Sequence, residues 1–257
     1  MMYWIVCITA LLASGLTLFS GFGLGTILMP AFALFFPIEI AIAMTAIVHL
    51  ANNVFKLFLI GKKADKQVLI KFTPTAIIAA FAGAWLLTLL TGMPAIASYM
   101  VGERQYHITI VKAVIGLLMI GFAFVELLPR FEKMEFNKKY LPVGGLISGF
   151  FGGLSGHQGA LRSAFLSKAG LDKEAFIATG VVTAAIVDFT RLSVYFSHAA
   201  TAGLDANWTL ILAAILTSFA GAFIGSRLIK KITLKTVQLI VGIMLMLIGL
   251  FLCVGLI

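Results

Sequence analysis

The sequence predicts an all-α polytopic membrane protein made of two inverted repeats, each a glycine-broken re-entrant helical hairpin plus three transmembrane helices. Three observations predict it. The 257 residues are 61% hydrophobic and 11% charged, with a mean hydropathy of +1.09, where a soluble domain carries about 25% charged residues. The basic residues gather in alternate connections between apolar runs. The two halves repeat one another around a pair of glycine-rich breaks. A water-soluble globule of this size could not hide so much apolar surface, which excludes a cytosolic enzyme, a secreted domain and a disordered tail.

The net charge of +9 would suggest nucleic acid in a soluble protein. Here it follows the positive-inside pattern, so no nucleic-acid partner is expected. Cys7 and Cys253 lie in apolar runs without metal-ligand spacing and read as small hydrophobes; no metal or cofactor is expected. The first 20 residues lack a basic start and run into further apolar sequence, so a cleaved signal peptide is not expected.

A helix needs about 20 apolar residues to span the hydrocarbon core. Six segments meet that standard: Ile38–Ile60, Phe72–Leu90, Ile108–Leu128, Ala175–Ser197, Trp208–Ile229 and Thr236–Ile257. Two longer stretches, Tyr3–Phe36 and Tyr140–Ser167, carry glycines at their centres. These are Gly21-Phe22-Gly23-Leu24-Gly25 and Gly152-Gly153-Leu154-Ser155-Gly156-His157-Gln158-Gly159. Each stretch therefore reads as two half-helices around an unwound centre.

The repeat is visible in Phe81-Ala82-Gly83-Ala84 and Phe219-Ala220-Gly221-Ala222, and in the equal spacing of Gly25 with Gly159, Thr45 with Thr179 and Phe55 with Phe189. The chain divides into a first membrane repeat (1–128), a short charged cytoplasmic link (129–139) and a second repeat (140–257), within one membrane domain. Fifteen of the 19 Lys and Arg flank the connections near 65 and 171, the central link and the turn at Arg227–Lys235; the connections at 91–107 and 198–207 contain only Arg104. The first group faces the cytoplasm and the second faces outward. Two full crossings between the link and residues 198–207 would contradict those charges. The stretch Tyr140–Ser167 must then enter and leave on one side, as two legs of about 20 Å. By the duplication Tyr3–Phe36 does the same from outside. Three further crossings per half invert one repeat against the other, a recurrent transporter architecture. Two merely kinked helices are the alternative.

Ionisable groups inside hydrocarbon cost about 2.5–3.5 kcal/mol each on the lenient insertion scale. One hairpin tip carries Ser155, Gly156, His157, Gln158, Gly159 and, one turn on, Arg162; its counterpart carries Ser20, Gly21, Gly23, Gly25 and Thr26. The second leg of each hairpin starts after the glycines, so its free N–H groups and positive dipole end point at the membrane centre. Together these donors make a site for an anion, and an arginine fork suits several oxygens. The alternative for Arg162 is that it snorkels towards the cytoplasm, since it lies only six residues from Lys168. On 38–60, His49, Asn52, Asn53 and Lys56 form one polar stripe; on 175–197, Asp188 and Arg191 stand i, i+3. Both stripes read as the lining of a central path, with His49 and Asp188 as proton carriers if transport is proton-coupled. Asp188 and Arg191 also read as a self-neutralising buried pair. No enzyme is expected: zinc spacing and a phosphate-cradling loop are missing from the sequence, and no base–orienter set accompanies Ser155 and His157.

At its glycine turns the chain resembles the TauE/SafE sulfite exporter family, a group of anion permeases, over nearly its whole length. Gly21 to Pro30 matches that family's glycine-rich turn with its following proline, and Gly221-Ala222-Phe223-Ile224-Gly225-Ser226-Arg227-Leu228 is typical of its ending. The second copy departs at His157, Gln158 and Arg162, where relatives carry glycines and proline or apolar residues. The resemblance implies export or uptake of a sulfur-containing anion such as sulfite or an organosulfonate, by a multi-pass permease of the plasma membrane, the inner membrane if the source is bacterial. The expectation is a secondary transporter of a small oxyanion, bound near the bilayer midplane between two hairpin tips, with lipid around it and one repeat rocking against the other. A passive anion channel, and an intramembrane enzyme or scaffold, are the alternatives; proton coupling and a homo-oligomer stay open.

Overall fold

A computed structural model describes residues 1–20, 23–128, 136–197, 207–228 and 234–257, without the side chains of 17–20, 226–228 and 234–238. The chain folds into helices α1 (Met2–Ser20), α2 (Leu24–Ala33), α3 (Ile38–Ile60), α4 (Lys66–Thr91), α5 (Ile110–Leu127), α6 (Leu141–Ser155), α7 (Gly159–Leu166), α8 (Lys173–Ser197), α9 (Trp208–Leu228) and α10 (Leu234–Cys253). All six expected spans fall on helices, and α3 has the expected bounds. Among the described residues, five helices are long and apolar enough to cross a membrane: α3, α4, α5, α8 and α9. The described part of the sixth, α10, offers the shorter run Leu239–Cys253. The protein is thus a mainly helical, multi-pass membrane protein. Its outer helix faces are apolar, with Trp4, Phe58, Ile70, Ile78, Leu117 and Leu216 well exposed, as suits side chains that meet lipid rather than water.

Local chemistry sets the boundaries. The Asp65 carboxylate accepts the Val68 N–H at 2.8 Å and caps α4, so that helix starts six residues before the apolar run. Thr109 caps α5 through the Lys112 N–H. Gly156, at φ 83°, closes α6 in the left-handed region, where a side chain would clash. Each glycine-rich stretch is a helix, a break and a second helix, but the legs are unequal. They have 19 and 10 residues in the first stretch and 15 and 8 in the second. The second legs are short because Phe36-Pro37 and the turn at Gly170 (φ 68°) stop them early.

One expectation needs amending. Residues 91–107 are not a plain connection: β1 (Ala95–Val101) and β2 (Arg104–Thr109) form an antiparallel hairpin, so the fold is helical with one small sheet. Tyr99 stacks on Tyr106, and its hydroxyl donates to the Val254 carbonyl at 2.5 Å.

Helices pair across the halves. α6 runs parallel to α4, with Gly145, Gly149 and Gly153 against the backbone of Phe72, Ala76 and Ala80 in turn. α1 runs parallel to α9, with Gly221 against Leu11 and Gly225 against Gly15. Small residues at such seams let backbones touch, which is how helices associate when lipid removes the hydrophobic incentive. α5 meets α10 at Gly116 and Gly249, and α3 meets α8. α6 and α7 fold back on each other: the Phe136 N–H donates to the Ala164 carbonyl at 3.3 Å near their outer ends, and Ser148 Oγ donates to the Gln158 carbonyl at 3.1 Å near the tip. The main core surrounds α3, whose Ala41–Ala46 segment is buried between α2, α8 and α9.

Candidate anion site between the two glycine breaks

The first turn of α2 meets the break after α6. A Cβ added at Gly25 would sit 3.4 Å from the Gly156 carbonyl oxygen and 3.8 Å from the His49 ring. The first bond of α2 runs from the Ile27 N–H to the Gly23 carbonyl, so the N–H groups of Leu24, Gly25 and Thr26 precede any acceptor within the helix. Thr26 is buried in that first turn. Gly159 opens α7, with the Arg162 N–H bonded to the Gln158 carbonyl. Gly21 and the side chain of Ser20 lie outside the described residues.

Beside the breaks, α3, α7 and α8 bring polar groups to one carboxylate. Asp188 Oδ1 accepts Arg191 Nη2 at 2.7 Å, Arg191 Nε at 3.1 Å and Gln158 Nε2 at 3.4 Å. Asp188 Oδ2 accepts Asn53 Nδ2 at 3.1 Å and pairs with His49 Nδ1 at 2.6 Å. The stripe on α3 and the pair on α8 therefore belong to one network, although 139 residues separate His49 from Asp188. Asp188 and Arg191 do pair, and the same carboxylate also ties the two halves together.

Arg162 Nη1 donates to Gln158 Oε1 at 3.2 Å, and the residue is only 4% exposed, so it is held inside the protein. Lys56 is buried within electrostatic reach of Arg162. Asn52 turns elsewhere, accepting Ser14 Oγ at 3.0 Å on α1. Ser155 Oγ lies 3.1 Å from His157 Nδ1. The His157 ring stacks on Phe122 at 5.1 Å, and its buried Nε2 has no hydrogen-bond partner among the described residues.

Three supporting residues escaped the sequence argument. Phe122 offers no signal beyond being aromatic. Tyr195, whose hydroxyl donates to the Gly153 carbonyl, resembles any other apolar-helix tyrosine. Ser148 was findable, since it follows Ser14 at the spacing that relates Gly25 to Gly159.

Among the described residues, the buried charged side chains are Lys56, Arg162, Asp188 and Arg191: three basic groups and one carboxylate. A model of the family described as sulfite exporter TauE/SafE matches residues 6–252 of the chain. No curated protein and no solved structure matches it.

Proposed function

The chain belongs to the TauE/SafE sulfite exporter family, a family of membrane transporters of sulfite-type anions, and from that premise we propose that it is a secondary transporter of a small sulfur-containing oxyanion, held between the two glycine breaks. The observation that carries this reading is the contact of the tips at Gly25 and Gly156 beside a buried set of three basic residues and one acid. In this proposal the two repeats, 1–128 and 140–257, enter the plasma membrane inverted. Each begins with a hairpin that leaves on the face it entered, which the Phe136–Ala164 bond and the short second legs support.

Arg162 provides the full charge and a two-pronged donor, positioned by Gln158. The N–H groups at the start of α2 provide further donors for anion oxygens; His157 Nε2 adds one only when the ring is protonated, because Ser155 Oγ gives its hydrogen to the Phe151 carbonyl and takes that of His157 Nδ1. Ser155 orients His157, and Gly23, Gly25, Gly156 and Gly159 let backbone approach the guest. The network of His49, Asn53, Asp188 and Arg191, with Lys56 and Asn52 along α3, borders the route. The tips open to one face at a time, as inverted repeats allow.

The test is flux of labelled sulfite and methanesulfonate into liposomes carrying the full chain. Arg162→Ala is expected to lower flux by about tenfold or more, the scale of one lost charge-assisted hydrogen bond. A folded variant with unchanged flux removes Arg162 from the site. A panel of anions that neither cross nor raise the melting temperature of the purified protein rejects the transport reading, since a ligand that binds only the folded form stabilises it.

A further inference from the structure

His49 spends only one of its two ring nitrogens on the network. Its Nδ1 lies 2.6 Å from Asp188 Oδ2. Asp188 also accepts from Asn53, Gln158 and twice from Arg191, so it is held as the carboxylate and the shared hydrogen belongs to Nδ1. Asn53 Nδ2 is 3.2 Å from Nδ1, but both are then donors aimed at the same oxygen, and their proximity is not a hydrogen bond. The tautomer is thereby fixed, and in the neutral ring Nε2 carries the lone pair. A Cβ on Gly25 would stand 3.9 Å from Nε2, so that nitrogen faces the first turn of α2. The side chain of His49 is 12% exposed while those of Asp188 and Arg191 are 0% and 1%. His49 is therefore the point at which this triad meets the outside.

We propose that His49 is the proton-coupling residue of the transporter: Asp188 holds its Nδ1–H so that Nε2 faces the anion between the tips, and one proton taken up at Nε2 travels with each anion. This rests on the anion-transport reading above. On the open face an O–H bond of hydronium breaks, leaving water, and its proton bonds to the Nε2 lone pair; the new N–H donates to an anion oxygen. When the tips open to the other face, the anion leaves. The N–H bond then breaks, its electron pair stays on Nε2 and the proton returns to water. One proton and one anion move in the same direction.

The charged groups around His49 are Asp188 and Arg191 on α8, Arg162 on α7 and Lys56 two turns on along α3. α2 brings no ionisable side chain, and α1 brings only Tyr3 and Cys7 near its start. α5 carries Lys112 at its start and Glu126 near its end, and α9 carries only Arg227, whose side chain is outside the described residues. Within that mainly basic surround an anion and a proton each ease the binding of the other, and the coupling is reciprocal.

The full chain is reconstituted in phosphatidylethanolamine–phosphatidylglycerol vesicles with a pH dye inside and a methanesulfonate gradient across the membrane. A sulfonate stays ionised, so any proton that moves is the protein's. One proton per methanesulfonate is expected. Methanesulfonate affinity, read from thermal stabilisation, is expected to rise by about tenfold per pH unit on acidification in the alkaline limb. His49→Gln, which keeps a donor for Asp188, is expected to abolish the proton movement and flatten that profile. Wild-type flux without protons overturns the proposal while leaving the transport reading intact, as does a folded His49→Gln variant with the wild-type profile. If neither labelled sulfite nor methanesulfonate crosses, the transport reading fails and this proposal with it. Should His49→Gln not fold, the wild-type stoichiometry decides alone.

Discussion

Gly83 on α4 lies directly against α6: a Cβ placed on it would sit 2.1 Å from the Phe150 carbonyl oxygen. That distance is far inside van der Waals contact, so no side chain fits without parting the helices. Gly83→Val is expected to destabilise the protein by about 1–3 kcal/mol, the scale of overpacking. Gly121 on α5 has nothing within 4 Å of such a Cβ. Gly121→Ala is expected to be neutral, or to stabilise by about 0.5–1 kcal/mol through helix entropy. Thermal unfolding in detergent separates the two; equal effects would sink the argument from close approach.

Among the described residues, Asp188 is the one buried acid beside the basic groups Lys56, Arg162 and Arg191. Asp188→Asn removes its charge and leaves Arg191 without a counter-ion, which costs about 3–5 kcal/mol for a buried pair. The double variant Asp188→Asn with Arg191→Met should recover part of that loss. If the double variant is no more stable than the single, the penalty does not come from the stranded guanidinium.

The His157 ring has two separable roles. Stacking on Phe122 is packing, while the unpartnered Nε2 is an offered donor or acceptor. His157→Phe keeps the first and removes the second, along with the Nδ1 contact to Ser155 Oγ, whose own hydrogen stays on the Phe151 carbonyl. Unfolding temperature without ligand is expected to hold, and sulfite or methanesulfonate affinity to fall by about tenfold. Unchanged affinity would reduce His157 to a packing residue.

At the α3–α4 turn, two neighbouring residues should differ. Lys63 pairs with Glu174 where both side chains are over half exposed, so Lys63→Ala is expected to cost less than about 1 kcal/mol. Asp65 caps α4, and its own N–H donates to Thr179 Oγ1 at 2.9 Å. Asp65→Ala is expected to cost about 1 kcal/mol or more, since a cap is lost. Chemical denaturation in mixed micelles is the measurement, and the reverse ranking would refute it.

Hydropathy and charge made the long helices legible, because lipid demands about 20 apolar residues per crossing whatever the tertiary contacts. The ends were less so: Lys66 and Lys71 look like loop to a hydropathy argument, yet α4 runs through both, capped by Asp65. The hairpin at Ala95–Thr109 was missed because a short mixed run between two spans carries no length signal. Glycine placed the breaks but not the leg lengths, which depend on Pro37 and Gly170 downstream. The cost of charge in lipid singled out Arg162, Asp188 and Arg191 in the sequence, and all three are buried. The partnership of His49 with Asp188 was out of reach, because spacing within one helix says nothing of which helix it will face.

The glycine seams join α6 to α4 and α1 to α9, so each leading leg is wedded to a helix from the opposite end of the polypeptide. Anything that swings in this protein must carry pieces of both ends, like interlaced fingers. Severing the chain within residues 129–135 would then leave two fragments that clasp each other, and co-expressed as separate chains they should purify as one complex.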